Sequence, residues 1–168
     1  MNTTAKPNAL KAAATYGLYI GLFLILCHLL STVVGTKMAL LIQLVKLAGS
    51  IGLLVYGMKR YRDISCGGFI SYGNAFGFGI LTSLFSTFLF VAYMFVTIAT
   101  NSVAFQEQLY LAYDELIEQG LINGDMVDTL IQNMGWLIPL GMFIWSMLLG
   151  LIYSLIISAA IMRKKPMF

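Results

Sequence analysis

Four apolar stretches, each long enough to cross a lipid bilayer, constrain this chain more than any other feature. They cover residues 12–34, 38–58, 74–100 and 136–162. A helix needs about 20 apolar residues to span a hydrocarbon layer roughly 30 Å thick. Within that layer the backbone must satisfy its own hydrogen bonds, so each stretch is read as a helix. Composition agrees: 60% of the 168 residues are hydrophobic and 10% are charged, against roughly 25% charged in an ordinary soluble domain. The first stretch exceeds the about 7–15 apolar residues of a signal peptide and has no small-residue cleavage site after it. The expected fold is therefore an all-α integral membrane protein, a single membrane domain over residues 1–168 with four transmembrane helices in an antiparallel bundle.

The connections carry the next layer of information. Gly35, Thr36 and Lys37 make a link so short that helices one and two must form a hairpin. Lys59, Arg60, Tyr61, Arg62 and Asp63 are read as a sharp stop to helix two, and Gly67-Gly68 as part of a loop dipping back toward the membrane. Basic residues are sorted by position: Lys6, Lys11, Lys59, Arg60, Arg62, Arg163, Lys164 and Lys165 share one side of this topology. Only Lys37 falls in a loop on the other side, and Lys46 falls inside a span. The excess of lysine and arginine in cytoplasmic loops sets both termini and the 59–73 turn in the cytoplasm.

Residues 101–135, expected outside the cytoplasm, have another character. Phe105, Leu109, Ala112, Tyr113, Leu116 and Ile117 recur at helical spacing opposite Glu107, Asp114, Glu115 and Glu118. Gly120 is the expected end of that helix, Asn123-Gly124 a turn, and Asp125 the cap of a second short helix with Val127, Leu130, Ile131 and Met134 on its apolar face. Such amphipathic pieces lie on a membrane or against the bundle.

Small residues recur every four positions in three of the spans. Ala13, Gly17 and Gly21 mark helix one; Ala75, Gly79, Ser83 and Thr87 mark helix three; Ser146, Gly150, Ser154 and Ser158 mark helix four. Lipid is as apolar as leucine, so membrane helices associate through close backbone approach and interhelical hydrogen bonds. These stripes pack the bundle within one chain, or one of them forms a subunit interface.

The run Lys59-Arg60-Tyr61-Arg62-Asp63, followed by Gly67-Gly68-Phe69-Ile70-Ser71-Tyr72-Gly73-Asn74-Ala75-Phe76, resembles a family of small four-helix membrane proteins widespread in Bacteroidetes and catalogued as a domain of unknown function. The resemblance implies a bacterial inner (cytoplasmic) membrane location and no established activity, and it adds no catalytic residue.

Lys46 is the polar anomaly among the spans. It sits eight residues into helix two, roughly 12 Å from the outer end at about 1.5 Å per residue. A lysine at a helix centre costs about 2.5–3.5 kcal/mol on insertion scales. No acid lies in any span. The hairpin brings His28 near the depth of Gln43 and Lys46, which share a helix face. Three readings stay open. Lys46 snorkels to the outer headgroups while His28 bonds a backbone carbonyl; Lys46 pairs with an acid such as Glu107 or Asp114; or His28, Gln43 and Lys46 bind an anionic ligand or lipid headgroup. At the other side, Arg60 and Arg62 are either topology determinants or contacts to anionic lipid phosphates.

Catalytic constellations are missing from the sequence. One histidine cannot supply both axial ligands of a bis-histidine haem, and neither H-E-x-x-H nor a pair of intramembrane aspartates occurs. Two separated cysteines, Cys27 and Cys66, form neither a disulfide framework nor a metal site. The net charge of +3 forms no basic stripe with interleaved aromatics, so nucleic acid is not an expected partner. The expectation is a protein with no catalytic residue, metal or cofactor. Its partners would be membrane lipids, a second copy or another membrane protein, and it would act by helix association as an accessory or scaffold subunit. The alternative is a small channel, carrier or headgroup binder for an anionic ligand.

Overall fold

A computed structural model describes residues 9–34 and 38–163. The expected Gly35-Thr36-Lys37 link lies outside the described residues, as do Lys6, Lys164 and Lys165. Six α-helices follow one another: α1 Ala9–Val34, α2 Ala39–Arg60, α3 Tyr72–Thr100, α4 Ser102–Glu118, α5 Gly124–Gln132 and α6 Met134–Ile161. Among the described residues there is no strand, only an isolated antiparallel bridge between Ile70 and Arg163. Four helices, containing α1, α2, α3 and α6, are long and apolar enough to cross a membrane. The protein is an all-α, multi-pass membrane protein.

The basic run from Lys59 does not stop the second span as the residue types suggested. α2 continues through Arg60, and a wider π-type turn carries the chain on over Tyr61–Ser65. Lysine and arginine suit the last turn of a helix, where the carbonyl ends are negative, so they do not break it. Chain reversal waits for Gly67 and Gly68, whose φ values of 65° and 85° lie in the left-handed region that glycine adopts without steric penalty.

The described residues up to Phe90 and from Trp145 onward form one compact unit, and Val91–Ile144 forms another. Within the first unit, α1 and α2 pack side by side: the Gly49 surface meets the Phe23 ring, and Gly57 meets Tyr16. Gly17 of α1 rests on Thr82, Phe85 and Ser86 of α3, and Gly21 rests on Leu89. The core draws on all four spans, with Ala13, Leu54, Phe78 and Ile157 among its members. Tyr61 stacks on Phe78 at 4.3 Å between ring centroids.

The small-residue stripes of α3 and α6 interlock. A Cβ added at Gly79 would stand 2.6 Å from Ser154 Oγ, and one added at Gly150 would stand 2.6 Å from Ser83 Cβ. Each helix offers a glycine hole to a serine of the other, which is how backbones approach closely without bulky side chains. The hydroxyls of Thr82, Ser86 and Ser158 donate to carbonyls of their own helix, the usual local solution for buried Ser and Thr. Leucines on the opposite faces, such as Leu22, Leu26 and Leu155, are exposed and face the position of lipid.

In the second unit, Leu109 of α4 packs with Val127 and Ile131 of α5, flanked by Phe105, Tyr113, Ile117 and Ile138. α4 ends in a Schellman arrangement. Gly120 has φ 67°, its N–H donates to the Ile117 carbonyl, and the Leu121 N–H donates to the Leu116 carbonyl. The cap of α5 differs from the expectation. Asn123, not Asp125, is the N-cap, accepting the Asp125 N–H on its side-chain oxygen. Asparagine reaches two residues ahead from an extended backbone, while Asp125 sits inside the first turn, where a negative charge meets the positive end of the helix. The expected contributions of the Ala112, Glu115 and Leu130 side chains lie outside the described residues.

Candidate functional site

The polar residues of the spans are placed by the register of the α1–α2 hairpin. With Phe23 against Gly49 and Tyr16 against Gly57, Lys46 comes level with Cys27, and His28 lies one residue farther toward the C-terminal end of α1. Side chains on a helix lean toward its N-terminus. In antiparallel neighbours they therefore lean toward one another when the lower residue is on one helix and the higher on the other. Lys46 and His28 meet in this way at the ring of Phe90 on α3.

Lys46 Nζ stands 4.6 Å from the Phe90 ring centroid, inside the range in which a cation is held by an aromatic face. The His28 ring meets the same phenyl edge-on at 6.1 Å. Both polar side chains are half-buried, and Cys27 beside them is buried. α2 starts at Ala39, so Lys46 lies about 10 Å from that end of the helix at 1.5 Å per residue. Its side chain leans the same way, along the direction that a snorkelling lysine takes. Gln43, expected beside it, is exposed. Glu107 and Asp114, the acids considered as its partners, are exposed residues of the second unit. The structure thus gathers Lys46 and His28 around one ring and leaves Gln43 on the outer face.

Phe90 was not among the residues singled out in the sequence. Eleven phenylalanines occur in the chain, and nothing local distinguishes the one that lies beneath an ammonium. The assignment needs three helices in register.

At the opposite end of the bundle the two arginines separate. Arg62 is buried. Its Nε and Nη2 donate to the two carboxylate oxygens of Asp63 at 2.7 and 3.3 Å, and its Nη1 donates to the Ile161 carbonyl at 3.2 Å. The last carbonyls of a helix lack intrahelical partners, so Arg62 caps α6 from a distance of 99 residues in sequence. Of the two arginines expected at lipid phosphates, Arg62 is buried in this internal clasp and Arg60 is exposed. The backbone of Arg163 exchanges both hydrogen bonds with Ile70 at 3.0 Å, tying the 66–71 turn to the end of α6. Cys66, in that turn, has its thiol pushed above the usual value by burial, which disfavours the thiolate.

The model of a family described as a protein of unknown function (DUF4199) matches residues 15–164. That range takes in nearly all of the four long helices, the polar cluster at Phe90 and the arginine clasp. No curated protein and no solved structure matches the chain.

Proposed function

The chain belongs to the DUF4199 family, and we propose that this member is a non-enzymatic membrane protein that holds an anionic group at Lys46. The observation that carries the reading is the Lys46 ammonium seated on the Phe90 face with His28 against the same ring. An aromatic face steadies a cation without neutralising its charge. An ammonium retains three donors and no acceptor, so an anion is the complementary ligand. A position about 10 Å along the helix, with a side chain directed to the nearer end, suits a lipid phosphate or a small anion entering from that side.

In this reading the protein lies in a bacterial cytoplasmic membrane. Both termini are cytoplasmic, in line with Lys11, Lys59, Arg60 and Arg163 at one end of the bundle, and Lys46 opens toward the outer leaflet. Association as an accessory subunit or homo-oligomer is the second reading. The small-residue stripes that motivated it are occupied by contacts within the chain, so it rests on α2, the least buried of the four spans.

Native mass spectrometry with phosphatidylglycerol, alongside uptake of inorganic phosphate into proteoliposomes, tests the first reading and separates its two sources of anion. Lys46→Gln is expected to remove one class of bound lipid or to abolish phosphate uptake. Wild-type behaviour of that variant in both assays dismisses the site. An obligate dimer with no anion dependence would favour association.

A further inference from the structure

Within the 59–72 segment and Arg163, basic residues outnumber acidic ones. The chain has seven acids, of which Asp63 is in the 59–72 segment and the other six lie at 107–128. Arg62 takes Asp63 in a two-point pair and spends its remaining contact on the Ile161 carbonyl. That pair is a neutral clasp. Lys59, Arg60 and Arg163 are exposed around it, and the backbone bridge between Ile70 and Arg163 holds Arg163 over the same turn.

Apolar side chains interleave with these cations. Ile64 is 64% exposed, Phe69 37% and Tyr72 39%. Ile64 and Phe69 lie in the segment that joins α2 to α3, two helices long enough to cross a membrane, and Tyr72 opens α3. Apolar tips beside three exposed cations form the pattern of a surface lying in the headgroup layer. A soluble acidic partner would leave Ile64 and Phe69 unaccounted for.

We infer that the 59–72 turn together with Arg163 is a docking surface for anionic phospholipid headgroups. Lys59, Arg60 and Arg163 meet the phosphates, and Ile64 and Phe69 reach the acyl boundary. Arg62 is buried, and by pairing with Asp63 it offsets the acid of the 59–72 segment. The surface is independent of Lys46.

The test is lipid retention by the full-length protein, released by native mass spectrometry from mixed micelles of phosphatidylglycerol and phosphatidylcholine. The wild type is expected to keep phosphatidylglycerol preferentially, and high salt should erode the preference. Each basic residue near an anionic surface is worth roughly fivefold in binding. Arg163→Gln should therefore lower the preference by about fivefold, and the Lys59→Gln, Arg60→Gln, Arg163→Gln triple variant by on the order of a hundredfold. Lys46→Gln should remove only lipid held at Lys46 and leave in place the share of the preference that Arg163→Gln removes. Equal retention of both lipids by the wild type overturns the inference, as does an unchanged preference in the triple variant. Loss confined to Lys46→Gln assigns the lipid to the other site and also overturns it. The single variant decides the matter if the triple variant loses its helical circular dichroism.

Discussion

Around Gly79 and Ser154 two helices meet through residues with almost no side chain; around Leu109 and Ile131 two helices meet through large aliphatic ones. The first contact belongs to the unit built from the membrane-crossing helices, and the second to the unit that holds α4 and α5. In hydrocarbon a leucine gains little by leaving lipid for protein, so shape and close approach hold the helices together. Between α4 and α5, Leu109, Val127 and Ile131 are buried while Glu107, Asp114, Glu118 and Asp125 are exposed, the sorting of amphipathic helices, whose apolar side chains gain about 25 cal/mol for each Å² removed from water. Two packing patterns thus occur within one chain of 168 residues, one through small residues and one through large aliphatic ones.

The sharpest way to break this comparison is to fill a hole. Gly79→Leu would drive its side chain into Met58 and Ser154, and overpacking a tight contact costs typically about 1–3 kcal/mol and sometimes more. We expect about 3 kcal/mol or more here, read as a large fall in Tm in detergent. Gly52→Leu, with open space at its Cβ, should leave Tm nearly unchanged. Similar Tm values for the two variants would contradict close approach as the basis of the first unit.

In the second unit the opposite change should hurt. Ile131→Ala removes buried aliphatic volume and should cost about 2 kcal/mol, seen as faster proteolysis within residues 101–135 with the spans intact. Asn123→Ala deletes the α5 cap and should cost about 1 kcal/mol, with amide exchange rising first near Asp125. A smaller, pH-dependent effect comes from Tyr110. Its hydroxyl donates to Asp128 at 2.9 Å, and that bond, followed by desolvation, raises its pKa above the usual value near 10. A folded-state pKa raised in this way gives stabilisation that is complete below the unfolded value and fades as pH climbs through the folded one. Proteolysis of the 101–135 segment should accelerate slightly above about pH 10, and Tyr110→Phe should remove that dependence. An unaltered pH profile in the variant would separate the bond from stability.

Much of this was legible from residue order. The four spans follow from hydropathy and length, and the stripes at Gly79, Ser83, Gly150 and Ser154 from a four-residue repeat. Gly120 was legible as a helix end because only glycine takes its φ cheaply. Other features were not. Asn123 and Asp125 are both good caps two residues apart, and choosing between them depends on where the backbone turns extended. Arg62 and Arg60 look equivalent in sequence, yet one is buried against Ile161 and the other exposed. The candidate site was half visible: an intramembrane lysine and histidine stand out chemically, whereas Phe90 does not.

Residue order by itself determined the helical class, the number of helices able to cross a membrane and the sorting of charge along the chain, because transfer free energy is a local property of the side chains. Only the tertiary structure decided which stripes face each other, which arginine reaches the Ile161 carbonyl and which ring lies beneath Lys46. Those contacts join positions tens of residues apart, and their geometry exists only once the helices are in register.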